Sequence, residues 1–501
     1  MRRKLLFYHN LKTQKGSSDM IHDAQPALFD FFSGRTVEIR QVDEQVSSDA
    51  GLIVFRELDE KLRLTESFAN EIDDVRSDPD QDLLSVVRQR VFGIIAGYED
   101  QNDHDTLRSD PIFKMIADRH VDDPDLASQP TISRVENAVT ASDLLRLEDW
   151  FIDRFVESFD EEPDAITLDI DTFADSAHGA QQLTFFNNFY KDNIYQVRVI
   201  TCAENDAIVL PALLYGTAHV ALAAADDLSR VANALHRRFP DLHITVRADA
   251  GFAVPEMYQV LDSLHNVTWS IGYQMNTLMQ QKCEELMGLT LETFEQTGQT
   301  TKNFMHLKHQ SRNWSREHDL VIKCEANEQG TNRRVIISNR PGVEHYPDGT
   351  YQEYADRGES ENRNKELTVD LCTDRLSDHR YMANLFRVMI HCVSCNLLSR
   401  LRGITQEVSA DEMVVDGLHD EEGLPLEARS EGCKRTARNR RRHRDPLGRG
   451  RAMTWRTMII KVAARIATTT RQLRLLIPSG WPHWRHLVKV SQSLAAYSPS
   501  G

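Results

Sequence analysis

The segment AITLDIDTF at residues 165–173 decides the fold of this chain. It is a short run of β-forming residues that ends in acidic ones, which predicts a strand. Because side chains alternate along a strand, Asp169 and Asp171 project from the same face of it. A carboxylate on an apolar strand costs free energy unless it is paired or binds a metal ion. The segment therefore predicts a strand whose carboxylates have a chemical task.

The chain after this strand predicts further strands and helices. In order, they are strands at 195–202 (YQVRVITC) and 207–214 (AIVLPALL), a helix at 224–239, a strand at 243–252 (HITVRADAGF), a helix from Pro255 and the strand VTWSIGYQMN. Strands first, and then helices alternating with strands, are the order of a ribonuclease H-like α/β fold. The segments LVIKCEAN and RRVIISNR predict a β-pair after them.

Charge is distributed unevenly along the chain. The 501 residues carry a net charge of −17, yet residues 434–489 contain sixteen Lys or Arg and a single acidic residue, Asp445. Such a basic block is typical of a surface that contacts phosphates. The alternative is a solvated basic tail that has no partner.

Cysteine usage and hydropathy indicate the compartment. Seven cysteines without a framework spacing favour a reducing environment. Cys392 and Cys395 form a CxxC on an apolar helical segment, and no second CxxC completes a zinc site, so we expect packed core thiols. Residues 207–225 lack charge over a long stretch, but Pro211 and Gly216 interrupt it, which predicts a buried strand and turn. The N-terminus lacks the pattern of a signal peptide.

Two more groups of carboxylates lie where a metal site could use them. Asp249 ends the strand in TVRADAGF, and the predicted helix in RGESENRNKEL carries Glu359, Glu361 and Glu366. Two-metal phosphoryl transfer requires carboxylates from separated segments to converge, since Mg²⁺ prefers oxygen ligands. A single Asp at a strand end is often only a helix cap. Three groups of carboxylates in this order along the chain favour a metal site over separate helix caps.

Five motifs make a resemblance specific. The chain resembles the DDE insertion-sequence transposases of bacteria, in the group whose β-strand domain is inserted between the second Asp and the Glu. The motifs that carry it are GYEDQNDHDTLRSDP at 97–111, ASQPTISRVEN at 127–137, LDIDTFADSAHGAQQ at 168–182, RADAGF at 247–252 and YADRGESENRNKEL at 354–367. The basic segment TWRTMIIKVAARI also fits that group. The resemblance covers most of the chain from about residue 50.

The resemblance implies roles for particular residues. Asp171, Asp249 and Glu361 would be the catalytic carboxylates and metal ligands, with Asp169 as a supporting carboxylate. Tyr354 and Arg357 would face phosphates of the transposon end. Lys365 would be a further DNA contact, or alternatively only the i,i+4 partner of Glu361, because Thr368 stands where the family signature has Lys. In the basic block we expect DNA contacts from Arg440, Arg441 and Arg442.

The same resemblance implies a domain plan. It comprises a flexible leader (1–50), a helical DNA-binding domain (51–150), a ribonuclease H-like catalytic domain in two parts (160–277 and 351–404), a β-rich insertion between them (278–350), an acidic linker (405–433) and a basic C-terminal region (434–501). In that last region MTWRTMIIKVAARIATTTRQLRLL predicts an amphipathic helix. In 127–137 we expect a helix capped by Thr131 or Ser133.

The implied activity is cut-and-paste transposition. Two Mg²⁺ ions, with Mn²⁺ as a substitute, would support strand cleavage at terminal inverted repeats and transfer of the freed 3′-OH to target DNA. The partners would be double-stranded DNA and a second copy in a synaptic homodimer, in the cytoplasm at the bacterial nucleoid, without a membrane. The alternatives are a non-catalytic DNA-binding relic and a ribonuclease H-like nuclease without strand transfer.

Overall fold

The computed structural model describes residues 27–159, 161–406, 447–448 and 450–499. The chain forms two compact units, Met1–Gln45 and Val46–Gly501. In the smaller unit, strands β1 (Ala27–Phe29) and β2 (Val37–Ile39) form an antiparallel hairpin. The predicted leader therefore contains a hairpin, and its residues 1–26 lie outside the described part. Residues 46–50, which the sequence places in the leader, belong to the larger unit, where Ser47, Asp49 and Ala50 are buried.

The larger unit begins with a helical region, as the sequence predicts. Its helices are α1 (Leu52–Leu62), α2 (Leu64–Asn70), α3 (Leu83–Ala96), α4 (His104–Leu107), α5 (Pro111–Ile116), α6 (Gln129–Ala138) and α7 (Ala141–Glu157). Helix α6 begins before the expected caps Thr131 and Ser133. Pro130 lies in its first turn, where the missing N–H of proline costs no hydrogen bond.

A nine-stranded mixed sheet forms the centre of the larger unit. Its strands are β4 (Ala165–Ser176), β5 (Phe185–Asn187), β6 (Asp192–Cys202), β7 (Ile208–Tyr215), β8 (His243–Ala248), β9 (Val267–Tyr273), β10 (Thr301–His309), β11 (His318–Asn327) and β12 (Gly330–Ser338). The order is β10-β11-β12-β9-β8-β4-β6-β5, and β7 also pairs with β6. Strands β4, β8 and β9 are parallel neighbours. Helix α8 (Ala224–Arg238) leads from β7 to β8, and helix α9 (Pro255–Ser263) connects the parallel strands β8 and β9, which confirms the predicted α/β class.

The β-rich segment after β9 extends the central sheet. Helices α10 (Thr277–Lys282) and α11 (Glu284–Thr297) come first. The predicted β-pair is present as β11 and β12, and β10 adds a strand that the sequence analysis missed. Strand β12 pairs with β9, so backbone hydrogen bonds join this segment to the parallel strands.

The remaining described elements are helices α12 (Pro347–Ala355), α13 (Ser360–Lys365), α14 (Tyr381–Thr405), α15 (Ala452–Trp455) and α16 (Trp484–Ala496) and strands β13 (Ala464–Thr468) and β14 (Leu473–Leu476). Helix α14 is largely buried, and Cys392 and Cys395 pack in its apolar surroundings, as expected. Within the described ranges, no helix has the length and apolar character needed to cross a membrane.

The single amphipathic helix predicted for residues 453–476 is wrong. The helical part ends at Ile460, and β13 and β14 form an antiparallel pair after it. The short strand β3 (Val46–Ser47) pairs with the other edge of β13. This pairing joins the two ends of the larger unit, and local periodicity carries no information about such a long-range contact.

Arg456 lies in the basic block but is used inside the protein. Its guanidinium is buried and donates to the backbone oxygens of Ile95 (2.8 Å), Ile94 (2.8 Å) and Asp370 (2.6 Å). These bonds satisfy carbonyl groups at the end of α3 and at the end of the helical turn Glu366–Asp370. Arg456 therefore fixes the C-terminal region to the rest of the unit, and it is not part of a phosphate-binding surface.

Replacing Arg456 with Met should lower the free energy of unfolding by about 3 kcal/mol, because three buried carbonyl groups lose a charged donor. Urea denaturation would measure this loss. Arg474→Met is the matched control, since Arg474 is exposed and its substitution should stay within about 0.5 kcal/mol. Equal stability of the two variants would contradict this role of Arg456.

Candidate active site

Two candidate carboxylates lie side by side because of the register of two parallel strands. Asp169 is paired with Arg247 and Ile170 with Ala248 across β4 and β8. Asp171 and Asp249 come two residues after this first pair, Asp171 within β4, which continues to Ser176, and Asp249 directly after the end of β8. The Asp249 carboxylate accepts a hydrogen bond from the Gly251 N–H (2.7 Å), which fixes the turn that follows β8.

Asp169 is held by a buried ion pair. Arg247 donates through Nε and Nη2 to its two carboxylate oxygens, both at 2.7 Å. The third nitrogen, Nη1, donates to the backbone oxygen of Glu353 at 2.8 Å. Since Glu353 lies in α12, this arginine connects both strands to the helix that carries Tyr354. Asp169 is thus occupied by a positioning contact, and it is not open to a ligand.

The segment after α12 contacts Asp171 directly. Arg357 Nη1 lies 3.2 Å from Asp171 Oδ2, and Asn364 Nδ2 donates to the same oxygen at 2.8 Å. The Tyr354 ring lies beside the guanidinium, 5.9 Å from its central carbon. A Cβ atom added at Gly272 on β9 would stand 2.8 Å from the Tyr354 hydroxyl oxygen. Glycine at 272 therefore lets Tyr354 approach the sheet beside Asp249.

The charges of Asp249 and Glu361 both act on Asp171. Burial raises the pKa of Asp171, Arg357 opposes this shift, and the negative charges of Asp249 and Glu361 raise the pKa further. Asp249 also raises the pKa of the Tyr354 hydroxyl, although burial is the larger cause and Arg357 opposes it. Asp171, Asp249 and Glu361 thus lie in a common field, although they come from β4, the end of β8 and α13.

The carboxylates do not form a closed metal cage in this structure. Among the described residues, no three His, Cys, Asp or Glu side chains are close enough together to hold a metal ion. The cation that contacts Asp171 is instead Arg357. Asp249 and Glu361 are partly or fully exposed, so both can be reached from solvent.

The other residues singled out in the sequence have different environments. Lys365 is exposed and makes no ion pair with Glu361 in the described part of the chain. Glu366 is fully buried and accepts hydrogen bonds from Arg402 Nη2 (2.5 Å) and Ala452 N (2.7 Å), so its role is structural. Arg440, Arg441 and Arg442 lie outside the described residues.

Sequence reasoning missed two residues of this site, Arg247 and Asn364. The sequence contains a pattern that indicates the role of Arg247. Arg247 precedes Asp249 by two residues, as Asp169 precedes Asp171. Parallel pairing of two such strands brings opposite charges together on one face. No local pattern distinguishes Asn364 from its polar neighbours in ENRNKEL, so its contact with Asp171 could be found only in the folded chain.

The loop after the first strand is also fixed. Gln181 is buried and donates to the backbone oxygens of Leu376 (3.0 Å) and Asp378 (2.9 Å). The backbone N–H of Gln182 donates to the His379 oxygen at 2.9 Å. The loop that contains His178 and Gly179 is therefore attached to the segment before α14.

Comparison with known proteins identifies the family. No curated protein gives a significant match. A structure described as the cryo-EM structure of a piggyBac transposase synaptic complex with hairpin DNA is similar over 80% of this chain and 81% of that chain, with 12% identity and a TM-score of 0.37. The family model for the transposase DDE domain, group 1, matches residues 29–419. Since the match covers most of the sequence, this chain belongs to the DDE transposases of group 1.

Proposed function

We propose that this transposase binds the terminal inverted repeats of an insertion sequence, cleaves DNA at the repeat ends and joins the freed 3′ ends to target DNA. The observation that carries the proposal is the convergence of three segments on Asp171: Asp249 follows β8, the parallel neighbour of β4, and Arg357 and Asn364, which flank Glu361, both contact Asp171. The strand order β7-β6-β4-β8-β9 supports a ribonuclease H-like catalytic domain. Strands β10–β12 would be its insertion, between Asp249 and Glu361.

The donor chemistry of the site fits a hard divalent cation. Members of the DDE transposase family use divalent metal ions. Asp171, Asp249 and Glu361 offer carboxylate oxygens, the ligands that Mg²⁺ prefers, and their mutual repulsion favours binding of positive charge. When bound, two Mg²⁺ ions would stabilise the attacking and leaving oxygens of the phosphodiester, and Mn²⁺ could replace them. Asp169, held by Arg247, would keep β4 and β8 in register beneath these ligands.

Arg357 would change partner when substrate enters. In this structure its guanidinium neutralises Asp171. A planar guanidinium also suits bidentate contact with a phosphate, and Tyr354 restricts where the arginine can move. We infer that Arg357 exchanges its ion pair with Asp171 for one with a DNA phosphate. The Asp171 carboxylate can then bind a metal ion. Lys365, exposed on α13, would contact the same DNA.

The rest of the chain would hold the DNA ends. Transposases bind DNA, and we propose that the helical region 51–150 and the basic residues that include Arg440, Arg441 and Arg442 contact the terminal repeats. Joining two ends requires two active sites in one complex, so we propose a homodimer. The proposed location is the bacterial nucleoid in the cytoplasm.

The test is a Mg²⁺-dependent assay on labelled DNA that carries the ends of the element encoding this chain. Wild type is compared with Asp249→Ala and with Asp241→Ala, a control whose carboxylate is exposed in the turn before β8. We expect cleaved and joined products from wild type and the control, and neither from Asp249→Ala.

Other outcomes would replace the proposal. Cleavage without joined product would favour a nuclease that lacks strand transfer. Tight end binding without metal-dependent cleavage by any of the three proteins would leave a DNA-binding relic of a transposase.

A further inference from the structure

Asp171 is held by two side chains of different charge. Its Oδ2 atom accepts hydrogen bonds from the Arg357 guanidinium (3.2 Å) and from the Asn364 amide (2.8 Å). Its Oδ1 atom accepts a hydrogen bond from the N–H group of Thr172 at 2.9 Å. The Asp171 side chain is only 15% exposed, so these donors take the place of most of the water that would solvate it. The two donors to Oδ2 differ in one respect, because the guanidinium is positively charged and the amide is neutral.

Asn364 lies on the same helix as Glu361. Both belong to α13, and Asn364 follows Glu361 by three residues, a spacing that places two side chains on one side of a helix. The Asn364 amide therefore attaches the side of α13 that carries Glu361 to β4, the strand that carries Asp171. One hydrogen bond thus connects the elements of two candidate ligands that are far apart in the sequence.

Contacts outside the site fix the position of Asn364. The preceding residue, Arg363, forms an ion pair with Asp206 in the turn between β6 and β7. The backbone oxygen of Asn364 accepts a hydrogen bond from the Thr368 hydroxyl at 2.8 Å. Neither contact involves Arg357. The place of the Asn364 amide therefore does not depend on whether Arg357 stays with Asp171.

Arg357 and Asn364 differ in what they can do when a divalent cation approaches Asp171. The guanidinium and the cation compete, because each neutralises the same carboxylate. The amide has no net charge, so its hydrogen bond and a bound cation can coexist on Asp171. Hydrogen bonds of this kind orient a ligating carboxylate, and their loss lowers metal affinity or activity about 10- to 100-fold. Of the two donors, Asn364 is thus the one that can still hold Oδ2 after Arg357 has moved.

We propose that Asn364 is a positioning residue of the metal site, whose amide keeps the Asp171 carboxylate oriented while Arg357 exchanges its partner. Arg357 then controls the charge at Asp171, and Asn364 controls the orientation of the carboxylate relative to Glu361. This inference rests on the proposed function, and it assigns separate tasks to the two donors. Asn364 acts through Asp171, so its loss should weaken metal binding even where the fold and the affinity for DNA are retained.

The experiment measures Mn²⁺ binding by the full chain in complex with a DNA end of the element, from the electron paramagnetic resonance signal of free Mn²⁺. The DNA stops at the 3′-OH of the cleavage position and no target DNA is added, so no strand is cut or joined. Asn364→Leu has a similar size but no donor, and it should bind Mn²⁺ roughly tenfold more weakly than wild type. Asn364→Ala replaces it if the leucine variant does not fold.

Two control variants locate the effect. Asn233 is an exposed asparagine on α8 that donates to the Ser229 hydroxyl at 3.2 Å, and Asn233→Leu should bind Mn²⁺ as wild type does. Asp249→Ala should lose the tight binding, which assigns the measured Mn²⁺ to the candidate site. Thermal unfolding without metal and the affinity for the DNA end are measured for every variant.

The outcomes separate this inference from the proposed function. If Asn364→Leu unfolds at a lower temperature but binds Mn²⁺ as tightly as wild type, Asn364 has only a structural role. If it binds the DNA end more weakly and Mn²⁺ equally well, Asn364 is a DNA contact. Either result overturns the positioning role alone. Wild type that binds the DNA end but no Mn²⁺, or Mn²⁺ binding that Asp249→Ala leaves unchanged, would count against the proposed metal site as well.

Discussion

Asp171→Asn should reduce the rate of DNA end cleavage by at least about a thousandfold, since even one lost electrostatic contact with a transition state costs about 10²–10³. Asparagine has the shape of aspartate but no charge, so it can still accept hydrogen bonds from Arg357 and Asn364. It cannot balance the charge of a divalent cation. The expected defect is therefore in the chemical step, and affinity for end DNA should be retained.

The same substitution should leave the fold at least as stable as wild type. Burial and the charges of Asp249 and Glu361 raise the pKa of Asp171, so the ionised form is disfavoured in the folded protein. A neutral side chain removes that penalty. Single-turnover cleavage and thermal unfolding without metal would measure the two effects, with Asp241→Asn as the control. If Asp171→Asn cleaves DNA at the wild-type rate, Asp171 is not a catalytic residue.

Asp175→Asn should stabilise the protein increasingly as the pH rises from about 4 to about 8. Asp175 lies on β4, is fully buried, and its Oδ1 accepts a hydrogen bond from the Leu376 N–H at 3.3 Å. Its Oδ2 has no hydrogen-bond partner within the described part of the chain. Burial raises the pKa of Asp175 from 3.8 to about 8, and the nearby charge of Asp374 adds to the shift.

The sign of this effect follows from proton linkage. The folded state holds the proton more tightly than the unfolded state, so Asp175 stabilises the fold below its unfolded pKa. That contribution is lost as the pH rises through the folded pKa. The slope approaches about 1.4 kcal/mol per pH unit between the two values, with a total on the order of 5 kcal/mol at most. Asparagine stays neutral at every pH, so Asp175→Asn should not lose this free energy of folding as the pH rises.

Chemical denaturation at several pH values would measure the effect as the difference between Asp175→Asn and wild type. We expect little difference near pH 4 and the largest near pH 8. Asp241→Asn, which changes an exposed carboxylate, is the control. A pH-independent difference for Asp175→Asn would mean that the Asp175 carboxyl group is ionised in the folded protein.

The sequence alone determined the elements that carry the site. The period-two patterns of 165–173 and 243–252 predict strands β4 and β8, although β4 continues to Ser176, beyond the predicted end. The motifs at 168–182, 247–252 and 354–367 predict the family, which the family model confirms. The buried environment of Cys392 and Cys395 on α14 also followed from local periodicity. These inferences succeed because the hydrophobic pattern along a strand or helix is a local property of the sequence.

Only the tertiary structure decided how these elements contact one another. Asp171 is bound by Arg357 and Asn364, Arg456 is buried in the core, and β3 pairs with β13 from the other end of the larger unit. Sequence periodicity predicted a helix where β13 and β14 lie, because strand pairing depends on partners that are distant in the chain. A charge in the sequence does not show whether it faces solvent or a buried carbonyl group. That difference is set by packing, and it separates the residues that can contact DNA from those that hold the fold together.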